Sequence, residues 1–153
     1  MAQATGVQSF SDAYVEFKPA NLGIWVDASG WGSSVAVDGG DRQTGWAYTF
    51  DGDVAVGGVG KREPRTVTIR TIYTEGAADP WKYAWDAYRN NQIMQVRWSP
   101  KGGDANEKRY TTDATYSFVK NCPPPGGEAG SGDPMAVEIV VETADITQDT
   151  EVT

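Results

Sequence analysis

The stretch that decides the fold is RTVTIRTIYTE, residues 65–75. Val67, Ile69 and Tyr73 fall on one side of an extended chain and Thr68 and Arg70 on the other, the period of two expected of a half-buried strand. Pro64 resets the chain just before it. A second stretch, MAVEIVVETADIT at residues 135–147, repeats the pattern, with Val137, Ile139 and Val141 opposite Glu138 and Glu142. It reads as the last strand. Each has one apolar and one polar face, so both belong in an antiparallel sheet with one face on a core.

Working outward, AYVEFKP (13–19) and LGIWVDAS (22–29) alternate like strands. SSVAVDGGDRQTGWAYTFDGD (33–53) reads as a hairpin turning at DGGD, with Val35 and Val37 on one face and Trp46, Tyr48 and Phe50 alternating beyond it. GDVAVGGVGKREPR (52–65) reads as a glycine-rich loop with room for a short edge strand. IMQVRWSP, KRYTTDA and TYSFVKN supply further strands. One helix is expected at about residues 80–90: Asp79 is an N-cap, Pro80 suits the first turn, and Trp81, Ala84, Trp85 and Tyr88 recur at three- and four-residue steps. Trp81, Trp85 and Tyr88 are its expected docking residues.

The fold class is therefore mainly β, an antiparallel β-sandwich or barrel with one flanking α-helix. One domain over residues 1–153 is expected, with an N-terminal arm (1–12), long loops at 51–65 and 121–134, and a C-terminal tail (148–153).

Bulk composition excludes whole classes of function. Thirteen Lys and Arg against 21 Asp and Glu give a net charge of −8, which argues against tight DNA or RNA binding. The chain has no histidine, which removes Ser-His and Cys-His nucleophiles and imidazole metal ligands. A single cysteine forms no internal disulfide, and the first residues lack the basic start and apolar run of a signal peptide. Synthesis in the cytoplasm, with no membrane span, is the expectation.

The motif candidates fail on spacing. Continuing DGD (51–53) as a calcium loop puts Ala55 and Val56 where a ligand and the turn glycine belong, so it is a turn. Counting back from Gly60-Lys61 puts Ala55 at the first glycine of a phosphate loop, and Arg62 replaces the magnesium-binding hydroxyl. Cys122 has only Lys120, two residues away on a strand, as an activating cation, and reads as an inert thiol. No carboxylate pair is singled out for glycosidase work, and the six Trp and seven Tyr are core and helix-docking residues before they are a sugar platform. No enzyme, cofactor or metal is expected.

NCPPPGGEAGSGDP, residues 121–134, is an excursion within the domain, since a strong strand follows it. Pro123, Pro124 and Pro125 are stiff and extended, whereas the run from Gly126, Gly127 and Glu128 is pliable. Loops this long in compact domains are usually functional or held by a partner. An arm docking on a neighbouring subunit is the expectation.

VAVDGGDRQTGWAYTFDGD, KREPRTVTIRTIYTEG, DPWKYAWDAYRNN, VRWSPKGG and NCPPPGGEAGSGDPMAVEIVV together resemble, over roughly residues 30–147, the major tail tube protein of long-tailed, siphophage-type bacteriophages. The resemblance implies a β-sandwich flanked by a helix. It further implies homohexameric rings whose inner sheets join into a barrel, stacked into a tube in the virion tail through which the genome leaves. It implies no catalytic residue, and as partners the chain itself, a tape measure protein, and tail terminator and baseplate proteins. DNA would transit without tight binding through an acidic conduit, for whose wall Glu138, Glu142, Thr68 and Arg70 are the candidates; Arg70 and Arg97 count against a purely acidic lining. Other readings are a capsid decoration or tail terminator subunit, or a carbohydrate-binding β-sandwich module.

Overall fold

The computed structural model describes residues 3–104 and 106–150. After a single 3-10 turn (Phe10–Asp12) inside the expected N-terminal arm come β1 (Tyr14–Pro19), β2 (Val26–Asp27), β3 (Gly32–Gly39), β4 (Arg42–Ala47), β5 (Val56–Arg62) and β6 (Arg65–Ile72). Helix α1 (Pro80–Arg89) follows, then β7 (Met94–Ser99), β8 (Lys108–Thr112), β9 (Ser117–Asn121), β10 (Ala136–Thr143) and β11 (Ile146–Thr150). Every strand pairing is antiparallel. One sheet has the order β11-β8-β7-β1-β2, a second β3-β6-β10-β9, and β4-β5 form a separate ribbon.

The two larger sheets meet face to face. Val67 and Ile69 of β6 and Val137, Ile139 and Val141 of β10 pack on one side, Val15, Phe17, Met94, Val96 and Trp98 on the other. Ile69 and Ile139 are register partners and both are 0% exposed. Burying each such side chain is worth about 1.5–3 kcal/mol before ordering entropy is subtracted.

The helix begins where its cap dictates. Asp79, itself buried, accepts from the Trp81 N–H at 2.9 Å and, through its other oxygen, from the Thr74 N–H at 2.7 Å and the Thr74 hydroxyl at 3.0 Å. One carboxylate thereby fixes both the helix start and the loop leading into it. Ala84 and Ala87 make the close approach to the core. Of the expected docking residues, Trp81 and Trp85 pack on that core half-buried, whereas Tyr88 is exposed. Small residues touch the sheet, and the aromatic rings flank them.

Four boundaries differ from the sequence reading. Most of 22–29 stays outside a strand, leaving the two-residue β2. Residues 33–53 do not fold back as a hairpin, because β3 pairs with β6 and β4 with β5. The expected loop at 51–65 contains β5, whose glycines hide the alternation but leave the backbone free to pair. The last strand ends at Thr143, and after Ala144-Asp145 the chain crosses to the other sheet as β11, so residues 148–150 of the expected tail are strand; 151–153 lie outside the described residues. Arg109 secures β11 with two hydrogen bonds to Asp149, at 2.9 and 3.2 Å, and chiefly by these holds that carboxyl below its usual range.

Candidate assembly surfaces

β3-β4 and β5-β6 are two arms of one long hairpin that bends once. At the bend Gly39 and Gly40 both have φ of +80°, and a Cβ on Gly39 would lie 2.6 Å from the Pro64 carbonyl oxygen. Only glycine fits there. The Gly40 N–H donates to Pro64 O at 3.2 Å and the Glu63 N–H to Asp41 O at 2.8 Å, so the backbone ladder continues through the bend. An Arg62–Asp145 ion pair at 3.0 Å ties the root of the projecting part to the body.

Beyond the bend, every residue of β4 and β5 is exposed. Register puts Thr44, Trp46, Gly57 and Val59 on one face. The Trp46 ring lies over Gly57, where a Cβ would come within 2.5 Å of it, yet Trp46 remains 70% exposed and Val59 72%. Tyr48, Phe50 and Val54, at the tip around the DGD turn, are exposed as well. A two-stranded ribbon is at best marginally stable by itself, and a cluster of exposed apolar side chains marks an interaction surface.

The second surface is the face of the four-stranded sheet turned away from the core. Its register rows run Ser34–Arg70–Glu138, then Ala36–Thr68–Val140, then Asp38–Thr66–Glu142–Phe118. The structure thus brings Glu138, Glu142, Thr68 and Arg70 onto one face. Both glutamates are paired, Glu138 with Arg70 at 3.8 Å and Glu142 with Lys120 at 3.4 Å. Three carboxylates against two cations leave this face nearly neutral. Arg97 takes no part: it lies on the other sheet, 2.8 Å from Glu16 and over the Trp25 ring at 4.2 Å.

The third surface is the segment 121–134. A register shift in β9 opposite Val140 and Val141 breaks the even spacing, so Lys120 points outward to Glu142 while Cys122 is buried. Burial pushes the Cys122 thiol up to about 12, and no cation offsets it. Pro123, Pro124, Gly126, Gly127 and Glu128 are exposed and Pro125 is half-buried. Pro123 and Pro124 line a shallow cleft with Arg70 and Glu138.

The projections leave the same sheet at opposite ends. The ribbon departs beside Gly39, Arg65 and Thr143, which are aligned in register, whereas the proline segment sits at the end marked by Gly32, Ile72 and Ala136. Sequence reasoning missed the ribbon as a projecting element. The available signal was the alternation in GWAYTF before the DGD turn and the brief VAV after it, a hairpin pattern with a tip at 51–53 that the glycines from Gly57 on cut short.

No protein-family model and no curated sequence matches this chain, but solved structures match it along nearly its whole length. The SPP1 tail tube superposes with a TM-score of 0.70 at 11% identity, covering 93% of this chain and 78% of that one. The chain has the tail-tube fold. A chain of the six-fold symmetrised anti-feeding prophage baseplate superposes at 0.67 with 12% identity, covering 98% of each. A chain from the sheath/tube terminator of PVC, an extracellular contractile injection system, gives 0.67 at 13% identity, covering 97% of this chain and 100% of that one. The tail-tube fold is thus found in tube, baseplate and terminator structures, in contractile systems as well as in SPP1. Of the six tryptophans in the chain, Trp46 on the ribbon is the exposed one. Among the described residues no helix is long and apolar enough to cross a membrane.

Proposed function

We propose that this chain is a structural subunit of a virion tail: copies close into hexameric rings, and the rings stack into a tube through which the genome passes into the host. The observation that carries this reading is the ribbon at residues 40–63, a backbone-paired element with exposed apolar side chains and little stability except against another surface. The tail-tube fold of the chain and the six-fold symmetry of the anti-feeding prophage baseplate support it. A long-tailed, siphophage-type tail is the specific setting, with a tape measure protein inside and terminator and baseplate proteins at the ends.

In the proposed ring the four-stranded sheets join edge to edge. Six copies of four strands, at about 4.8 Å per strand, give a circumference of roughly 115 Å and a backbone diameter of about 37 Å, widened further by strand tilt. That encloses a duplex. The face with Thr68, Arg70, Glu138 and Glu142 lines the lumen. Each glutamate there is held by a cation, so the wall offers phosphates no unpaired basic track and repels them weakly. Low friction comes from charge balance, and DNA transits without tight binding.

A tail terminator is the second reading, favoured by the likeness to the PVC sheath/tube terminator. Negative-stain electron microscopy of the purified protein across a concentration series separates the two. Long hollow tubes are expected. Isolated rings at every concentration would select the terminator, and monomers throughout would remove both.

A further inference from the structure

We infer that the aromatic ribbon of one ring clasps the triproline segment of the ring stacked on it. The inference rests on the stacked-ring reading and names the partner of the ribbon within it: residues 123–125 of another copy.

Three observations carry it. The ribbon and the proline segment lie at opposite ends of the four-stranded sheet, so head-to-tail stacking brings the ribbon end of one copy against the proline end of the next. A contact between two different patches of one chain closes into a ring or, where its rotation does not close, repeats along an axis, and the second case is the one that stacking needs. Along the ribbon, the run from Gly40 to Phe50 spans about 30 Å if extended, which carries its tip well beyond the end of its own sheet.

The chemistry of the two ends also matches. The ribbon presents Trp46, Tyr48 and Phe50, all exposed, with Gly57 leaving the Trp46 ring flat against the backbone. The other end presents Pro123 and Pro124, with Ile72 at 40% and Met135 at 46% exposure close to the same end of the sheet. Exposed aromatic side chains, Trp46 on β4 and Tyr48 and Phe50 at the tip beyond it, suit an extended proline run, because that run is already ordered and loses little entropy on binding. The glycines after Pro125 let the segment adjust to the ribbon, and the Ser131 N–H to Glu128 carbonyl turn at 3.2 Å brings it back toward β10.

Oxidative cross-linking tests the contact. Tyr48→Cys lies on the exposed tip, and Gly126→Cys has open space where its Cβ would be and no positive φ. The native Cys122 is buried and stays as it is. The doubly substituted protein, assembled and mildly oxidised, should give on non-reducing gels a ladder of covalent multimers extending beyond the hexamer, with none from either single variant. Tubes that form without the ladder would overturn this contact and leave the stacked-ring reading standing. A ladder that stops at the hexamer would place the contact within a ring and overturn it too. An assembly test in which the parent protein forms no tubes would remove both readings together.

Discussion

Residues 32–72 form one continuous hairpin whose two halves have opposite fates. In the half built from β3 and β6, the side chains of β6 alternate, and Val67, Ile69 and Thr71 vanish into the core. Past the bend at Gly39-Gly40, the half built from β4 and β5 has the same backbone pairing and no buried residue. Hydrogen bonds therefore do not distinguish the halves; burial does. The inner half is held by its own chain, and in the proposed assembly the outer half is held by surface from another copy.

That contrast sets a graded series of tests. Ile69→Ala removes a fully buried side chain and should destabilise the monomer by about 2–5 kcal/mol in a urea melt. A much smaller loss would mean the body is looser than its packing implies. Asp145→Asn breaks the ion pair at the ribbon's root, which is partly exposed on both sides, and should cost at most about 1 kcal/mol. Trp46→Ala should move the same melt by no more than about 0.5 kcal/mol, as an exposed substitution does. Its effect belongs to assembly instead: as a buried aromatic anchor between copies, it should raise the critical concentration for tube formation about tenfold or more in sedimentation assays. Equal stability losses for Ile69→Ala and Trp46→Ala would erase the difference between the halves.

The legible parts of the sequence were those whose side chains carry the period. Asp79-Pro80 set the start of the helix and the alternation of Val137, Ile139 and Val141 the face of β10, because cap chemistry and burial are local and repetitive. The ribbon was obscure for a physical reason. Gly57, Gly58 and Gly60 have no side chains to alternate, and a strand pairing only with its hairpin partner, away from the core, needs none. β11 was obscure because Thr147, Gln148 and Asp149 are polar and the strand is held through backbone pairing and Arg109. The helix contact was half legible: aromatic periodicity marked the correct side, and Trp81 and Trp85 do pack on the core, but the residues buried in it are Ala84 and Ala87. On the outer face of the four-stranded sheet, the sequence placed Glu138 and Glu142 together but not their counter-ions, since Lys120 reaches Glu142 only through the shift in β9.

Hydrogen exchange of the backbone amides at residues 42–62, compared between dilute subunits and assembled protein, tests the idea of a second-copy surface most directly. The ribbon amides should exchange quickly in the dilute subunit and slow by orders of magnitude on assembly, while those of β6 and β10 are protected in both. Ribbon amides already as protected as β6 in the isolated subunit, or unchanged in assembled protein, would contradict the account.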